Sequence, residues 1–119
     1  MVLVDTSIWV GHLRSGDEAL GRLLEAGMVL VHPYVIGELA LGNLRQREVV
    51  LGALSDLPHA SVATDAEVMG FIDQHTLFGR GIGYVDIHLL AAARLTPGAT
   101  LWTTDKRLHD TAVQLSLAS

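Results

Sequence analysis

Cysteine is absent from this 119-residue chain, which removes disulfide scaffolds, thiolate metal sites and cysteine nucleophiles together and suits a reducing cytoplasm. Long apolar runs are absent too: no stretch approaches the roughly 18 residues of a membrane span. The short apolar N-terminus has no basic leader and meets Asp5 at once, so neither a signal peptide nor a membrane anchor is expected. Basic residues are few, with eight Lys and Arg against thirteen Asp and Glu and a formal charge of -5. That balance argues against a nucleic-acid binder, because phosphate backbones prefer basic surfaces. Two divalent cations held by carboxylates would bring the charge to roughly −1 and make the site locally attractive to phosphate. Only 18% of residues are charged while 50% are hydrophobic. In a small chain this leaves apolar surface for a partner, either a second copy or a bound second protein.

What is present reads as one domain, residues 1–119, built from alternating strands and helices. Met1-Val-Leu-Val4 has no polar alternation and reads as a central parallel strand covered on both faces, ending at Asp5. Ligands of open parallel sheets sit beyond such strand ends, yet an Asp there equally suits a helix cap. Ser15 and Glu18 have capping-box spacing before the stripe Leu20, Leu23, Leu24, and Gly27 ends that helix ahead of a strand over 28–31. Pro33 opens a helix to about Asn43, and a further helix is expected over 44–54. A short strand over 60–63 precedes a Thr64–Glu67 capping box and a helix over 65–77. After the loop Gly79-Arg-Gly-Ile-Gly83, a helix is expected over 84–94, a strand over 99–103, a short helix over 106–110 and a last strand over 112–117. The order predicts an α/β fold, a three-layer α/β/α sandwich around a central parallel sheet of four to five strands.

Four of the thirteen acidic residues lie where a charge is expensive to bury without compensation. Asp5 follows the first strand, Asp105 follows the strand over 99–103, and Glu38 and Asp86 interrupt apolar helices. Asp5 and Asp105 converge if their strands are parallel neighbours, and the first turns of their helices bring Glu38 and Asp86 to the same edge. An all-oxygen cluster of this kind suits Mg²⁺ or Mn²⁺, and paired ions can activate water for phosphodiester cleavage.

The ordered set Asp5-Thr-Ser7, Pro33-Tyr-Val-Ile-Gly-Glu38-Leu, Val85-Asp86-Ile-His-Leu-Leu and Thr103-Thr-Asp105 resembles the PIN domain of VapC-type ribonuclease toxins along the whole chain. The resemblance implies a Mg²⁺- or Mn²⁺-dependent endoribonuclease that cuts RNA, pairs with a small VapB-like antitoxin and forms a homodimer. It assigns catalysis and metal binding to Asp5, Glu38, Asp86 and Asp105, and supporting hydrogen bonds to Ser7 and Thr103.

Arg14, Arg45, Arg80 and Lys106, with Arg47 and Arg107 behind them, are the candidate RNA contacts, although each taken singly is better explained as a solvated surface group. His88 and His109 stand near Asp86 and Asp105 but read as packing or surface residues, since imidazole suits zinc better than magnesium. The Gly79–Gly83 loop lacks the strand before it and the Lys-Ser/Thr after it that a nucleotide loop needs, and reads as a connector. Trp9 and Trp102 could stack bases but sit in apolar surroundings that favour core packing. A receiver-like phospho-signalling domain also places acids at strand ends, but it requires paired acids after the first strand where this chain has Asp5-Thr-Ser. A non-catalytic binding module on the same scaffold has no use for four buried carboxylates.

Overall fold

The computed structural model describes all 119 residues. Strand β1 (Val2–Val4) is the middle of the sheet, with β2 (Val29–Leu30) and β3 (Thr100–Trp102) paired to it in parallel on either side. Leu3 stands opposite both Leu30 and Leu101, and Val4 opposite Trp102. Leu3 and Val4 are both fully buried. Because successive strand side chains point to opposite faces, their joint burial requires helical cover on both sides of the sheet.

Seven helices supply that cover: α1 (Thr6–Ser15), α2 (Glu18–Glu25), α3 (Pro33–Ala40), α4 (Arg47–Ser55), α5 (Asp65–His75), α6 (Tyr84–Leu95) and α7 (Lys106–Gln114). Helix α1 packs on α3 and α3 on α4, while α5 packs on α6, and α6 and α7 pack against β3. The alanine-rich α6 is buried from Ile87 through Ala93, as expected of a helix pressed closely to the sheet. No helix is long and apolar enough to cross a membrane.

The sheet grows at each edge by one further parallel bridge. Val31 pairs with His59, its N–H donating to Pro58 O and its carbonyl accepting from Ala60 N, both at 2.9 Å. Leu101 pairs with Ala118, taking up Leu117 O at 2.7 Å and Ser119 N at 3.0 Å. Five parallel segments therefore lie side by side, three of them regular strands.

Both edge segments are displaced from their expected places. Residues 60–63 form no strand: the pairing falls at 58–60, because Thr64 already caps α5 with the reciprocal Thr64–Glu67 hydrogen bonds of 2.9 and 3.1 Å. Residues 112–114 continue α7 instead of starting a strand, since Leu108, Thr111 and Ala112 recur at helical spacing and are all buried. Leu117 N then bonds Ala112 O, and Ser116, at φ 59°, turns the chain into the edge bridge. The cap of α2 is likewise Asp17, which accepts from Leu20 N at 3.0 Å, rather than Ser15. Helix α4 starts at Arg47, three residues later than expected, after Gln46 in a left-handed conformation.

Candidate active site

The carboxyl ends of β1 and β3 build the centre of the site. Asp5 N donates to Trp102 O at 2.9 Å, which extends the ladder past both strands and sets Asp5 beside Thr103. The Asp5 carboxylate is only 7% exposed and accepts three hydrogen bonds: from Thr6 N (2.8 Å), Ser7 Oγ (3.2 Å) and Thr103 Oγ1 (2.7 Å). Thr103 Oγ1 also accepts from Asp105 N at 3.0 Å. One buried hydroxyl thus ties the two strand-end aspartates together. Ser7 Oγ reaches the same segment by accepting from Thr104 N at 3.4 Å.

Both strand-end acids double as helix caps. Asp5 is the N-cap of α1, and Asp105 is the N-cap of α7 through Leu108 N at 2.9 Å. The capping role and the site role do not compete, because a helix N-terminus favours a carboxylate wherever the strand delivers it.

Glu38 and Asp86 arrive on helices. Glu38 Oε1 accepts from Thr6 Oγ1 at 2.7 Å, which links α3 to the first residue of α1. Asp86, in the first turn of α6, accepts from Gly83 N at 3.3 Å. Burial pushes the Asp86 carboxyl above its ordinary value; Asp5 adds to the rise, Asp105 and Glu38 add less, and the Gly83 hydrogen bond opposes it. The four predicted acids therefore form one electrostatic group.

They do not form a ready coordination sphere, since no three acidic or histidine side chains stand close enough to enclose an ion. Each carboxylate is turned instead to its own local donor. Chemically the set fits hard divalent cations: every donor is a carboxylate or hydroxyl oxygen, and the repulsion felt at Asp86 is the kind that a cation relieves.

The candidate RNA contacts are scattered. Arg14 and Arg45 line a cavity of about 660 Å³ between α1, α3 and the segment leading into α4, which meets the acidic group only at Glu38. Arg80 is committed to Thr76 O at 3.0 Å and to Gln114. Lys106 pairs with Asp110 at 2.9 Å. Arg47 braces α4 against α3 by donating to Ala40 O at 3.0 Å. The Arg107 guanidinium lies across Gly81, whose φ of +73° and lack of a side chain leave room for it.

Trp9 is buried in the core and Trp102 half-buried against it. His88 is buried among tyrosine rings. Two features escape a reading of the sequence. Thr6 stands in view beside Asp5, but its tie to Glu38 depends on how α1 meets α3. Tyr34 and Tyr84 have no motif of their own, and only folding brings them together over His88.

Against known proteins, the family profile described as the PIN domain matches residues 2–114. Ribonuclease VapC32 of Mycobacterium tuberculosis, from strains CDC 1551 and H37Rv alike, is 46% identical to the chain over 118 residues, covering 99% of the chain and 95% of that protein.

Proposed function

The chain belongs to the PIN-domain family of VapC ribonucleases, and from that premise we propose that residues 1–119 form a single PIN domain that hydrolyses RNA phosphodiester bonds. It is an endoribonuclease and the toxin of a VapBC-type toxin–antitoxin pair. The observation that carries this reading is the single electrostatic group made by Asp5, Glu38, Asp86 and Asp105 at the carboxyl edge of the sheet.

The family depends on divalent metal, and here Asp5, Asp86 and Asp105 would hold Mg²⁺ or Mn²⁺ with Glu38 completing the set. Bound there, the metal supplies an activated water and neutralises charge on the leaving oxygen. The protein's own part is positional. Asp5 is held rigid by three donors, so its free lone pairs keep a fixed direction. Ser7 and Thr103 are the orienting groups, of the kind that sharpen ligand placement around a metal. Asp86 is half-buried, and a cation beside it would offset the burial and the neighbouring acids that raise its carboxyl.

RNA is the substrate and a small VapB-like antitoxin the partner. The apolar groove of Val10, Leu13, Leu39 and Val50, with Arg14 and Arg45 on its wall, is the proposed antitoxin surface, because it reaches Glu38 and so couples docking to the site. Cytoplasmic location and a homodimer complete the proposal, the dimer supported by exposed Val62, Met69, Phe78 and Leu95.

The test is RNA cleavage in Mg²⁺ or Mn²⁺ by Asp5→Asn and Asp86→Asn variants whose folding is checked by circular dichroism. Cleavage should fall to background in both, and full metal-dependent activity in either variant sinks the assignment.

A further inference from the structure

The chain contains only two tyrosines, one on each of the two helices that carry Glu38 and Asp86. Tyr34 lies one turn before Glu38 on α3, a spacing that puts the two on one helical face. Tyr84 begins α6, two residues before Asp86. The two residues are 38% and 47% exposed.

Neither ring is loose. His88, 1% exposed, stands between them, with its ring centroid 4.9 Å from Tyr34 at 60° and 4.7 Å from Tyr84 at 84°. Tyr34 leans in addition on His32, 4.9 Å away at 69°. The Tyr84 hydroxyl donates to Asp65 Oδ1 at 3.4 Å. Four rings, His32, Tyr34, His88 and Tyr84, form a continuous edge-to-face stack in which both tyrosines reach solvent and both imidazoles are buried.

This arrangement is poor for stability. Nε2 of His32 and Nδ1 of His88 have no hydrogen-bond partner, and Nε2 of His88 has only Asp65 Oδ1 at 3.5 Å, so burying these ring nitrogens carries a penalty. The buried imidazoles serve as flat wedges that hold two tyrosines in place with part of each ring open. Preorganised aromatics of this type bind at low entropy cost.

The electrostatics say what they bind. A polyanion approaching this acidic chain gets little help from Arg80 or Lys106, both already engaged within the protein. Contacts indifferent to phosphate charge add affinity in such a chain, and every nucleobase has a face that can stack.

We infer that Tyr34 and Tyr84 form a nucleobase-stacking subsite that holds unpaired RNA bases beside the scissile phosphate. The inference rests on the ribonuclease reading above and deepens it. Since a base paired within a duplex has no free face, RNA cut here is single-stranded at the point of cleavage.

The test measures kcat and KM on a short single-stranded RNA for the full chain and for Tyr34→Ala, Tyr84→Ala, Tyr84→Leu and Tyr84→Phe, each checked for an intact melting transition. Alanine or leucine should raise KM by roughly ten-fold per ring with a smaller effect on kcat, and phenylalanine should restore the low KM. In the Asp5→Asn background, an RNA carrying 2-aminopurine should be quenched on binding, and either alanine substitution should abolish the quench. Unchanged KM and quenching in folded Tyr→Ala variants overturn the subsite. So does a shift from dimer to monomer with RNA binding intact, which would make this surface a contact between copies. No cleavage by the wild type would defeat the ribonuclease reading itself, whereas normal cleavage with unmoved KM defeats only the subsite.

Discussion

The two strand-borne acids and the two helix-borne acids reach the same place by different means. Asp5 and Asp105 are joined through Thr103, which lies 98 positions from Asp5 in sequence, and each also caps the helix that follows it. Glu38 and Asp86 hang on one hydrogen bond apiece, from Thr6 and Gly83. The strand pair is fixed by sheet register and cannot move without breaking β1 from β3. The helix pair depends instead on how α3 and α6 pack, and each acid there has a single local donor. The strand half is thus the more firmly tied and the helix half the less.

The contrast can be broken from either side. Acid should strike the helix half first. His32 caps α3 by accepting from Tyr34 N through Nδ1 at 3.0 Å, and burial, with smaller contributions from His88 and His59, lowers its pKa from 6.5 to about 4. The unfolded chain binds that proton more readily, so stability present above pH 6.5 is lost as pH falls towards about 4. The loss is about 3 kcal/mol by the lower pH. Denaturant melts from pH 7 to 4 should show this slope in the wild type and a flatter one in His32→Asn, which keeps a capping oxygen without the titrating ring. Equal slopes would remove His32 from the account.

Within the strand half, Thr103→Val deletes the hydroxyl that serves both aspartates, and RNA cleavage should fall roughly 10- to 100-fold with little change in RNA affinity. Thr6→Val disturbs Glu38 alone and should cost only about a few-fold in the same assay, because α3 still delivers the carboxylate. If the two threonine variants lose activity equally, the strand and helix halves are not distinct.

Much of this was legible from residues alone, and the limits have physical causes. Asp5 and Asp105 could be placed because an apolar run stopping at an acid is a local signal, and Glu38 and Asp86 because an acid inside an apolar helix is anomalous. Edge segments were misplaced because single-bridge pairing has no pattern of its own. Residues 112–114 carry the β-branched Val113 that suits a strand, yet the buried Leu108–Thr111–Ala112 face of α7 decides the matter. Ser15 had the capping-box spacing, but α1 runs on through Ser15 and the cap of α2 falls to Asp17. The Thr6–Glu38 bond and the tyrosine–histidine stack arise only from helices meeting, which no short window of sequence reports.

The Thr103 bridge also has a consequence for the order of synthesis. Asp5, Glu38 and Asp86 precede β3 in the chain, so Thr103 and Asp105 are synthesised last among the parts of the site. Until they emerge, Asp5 lacks its neighbouring strand and one of its three donors. The strand half of the acidic group is therefore complete only once the C-terminal part of the chain has folded onto β1.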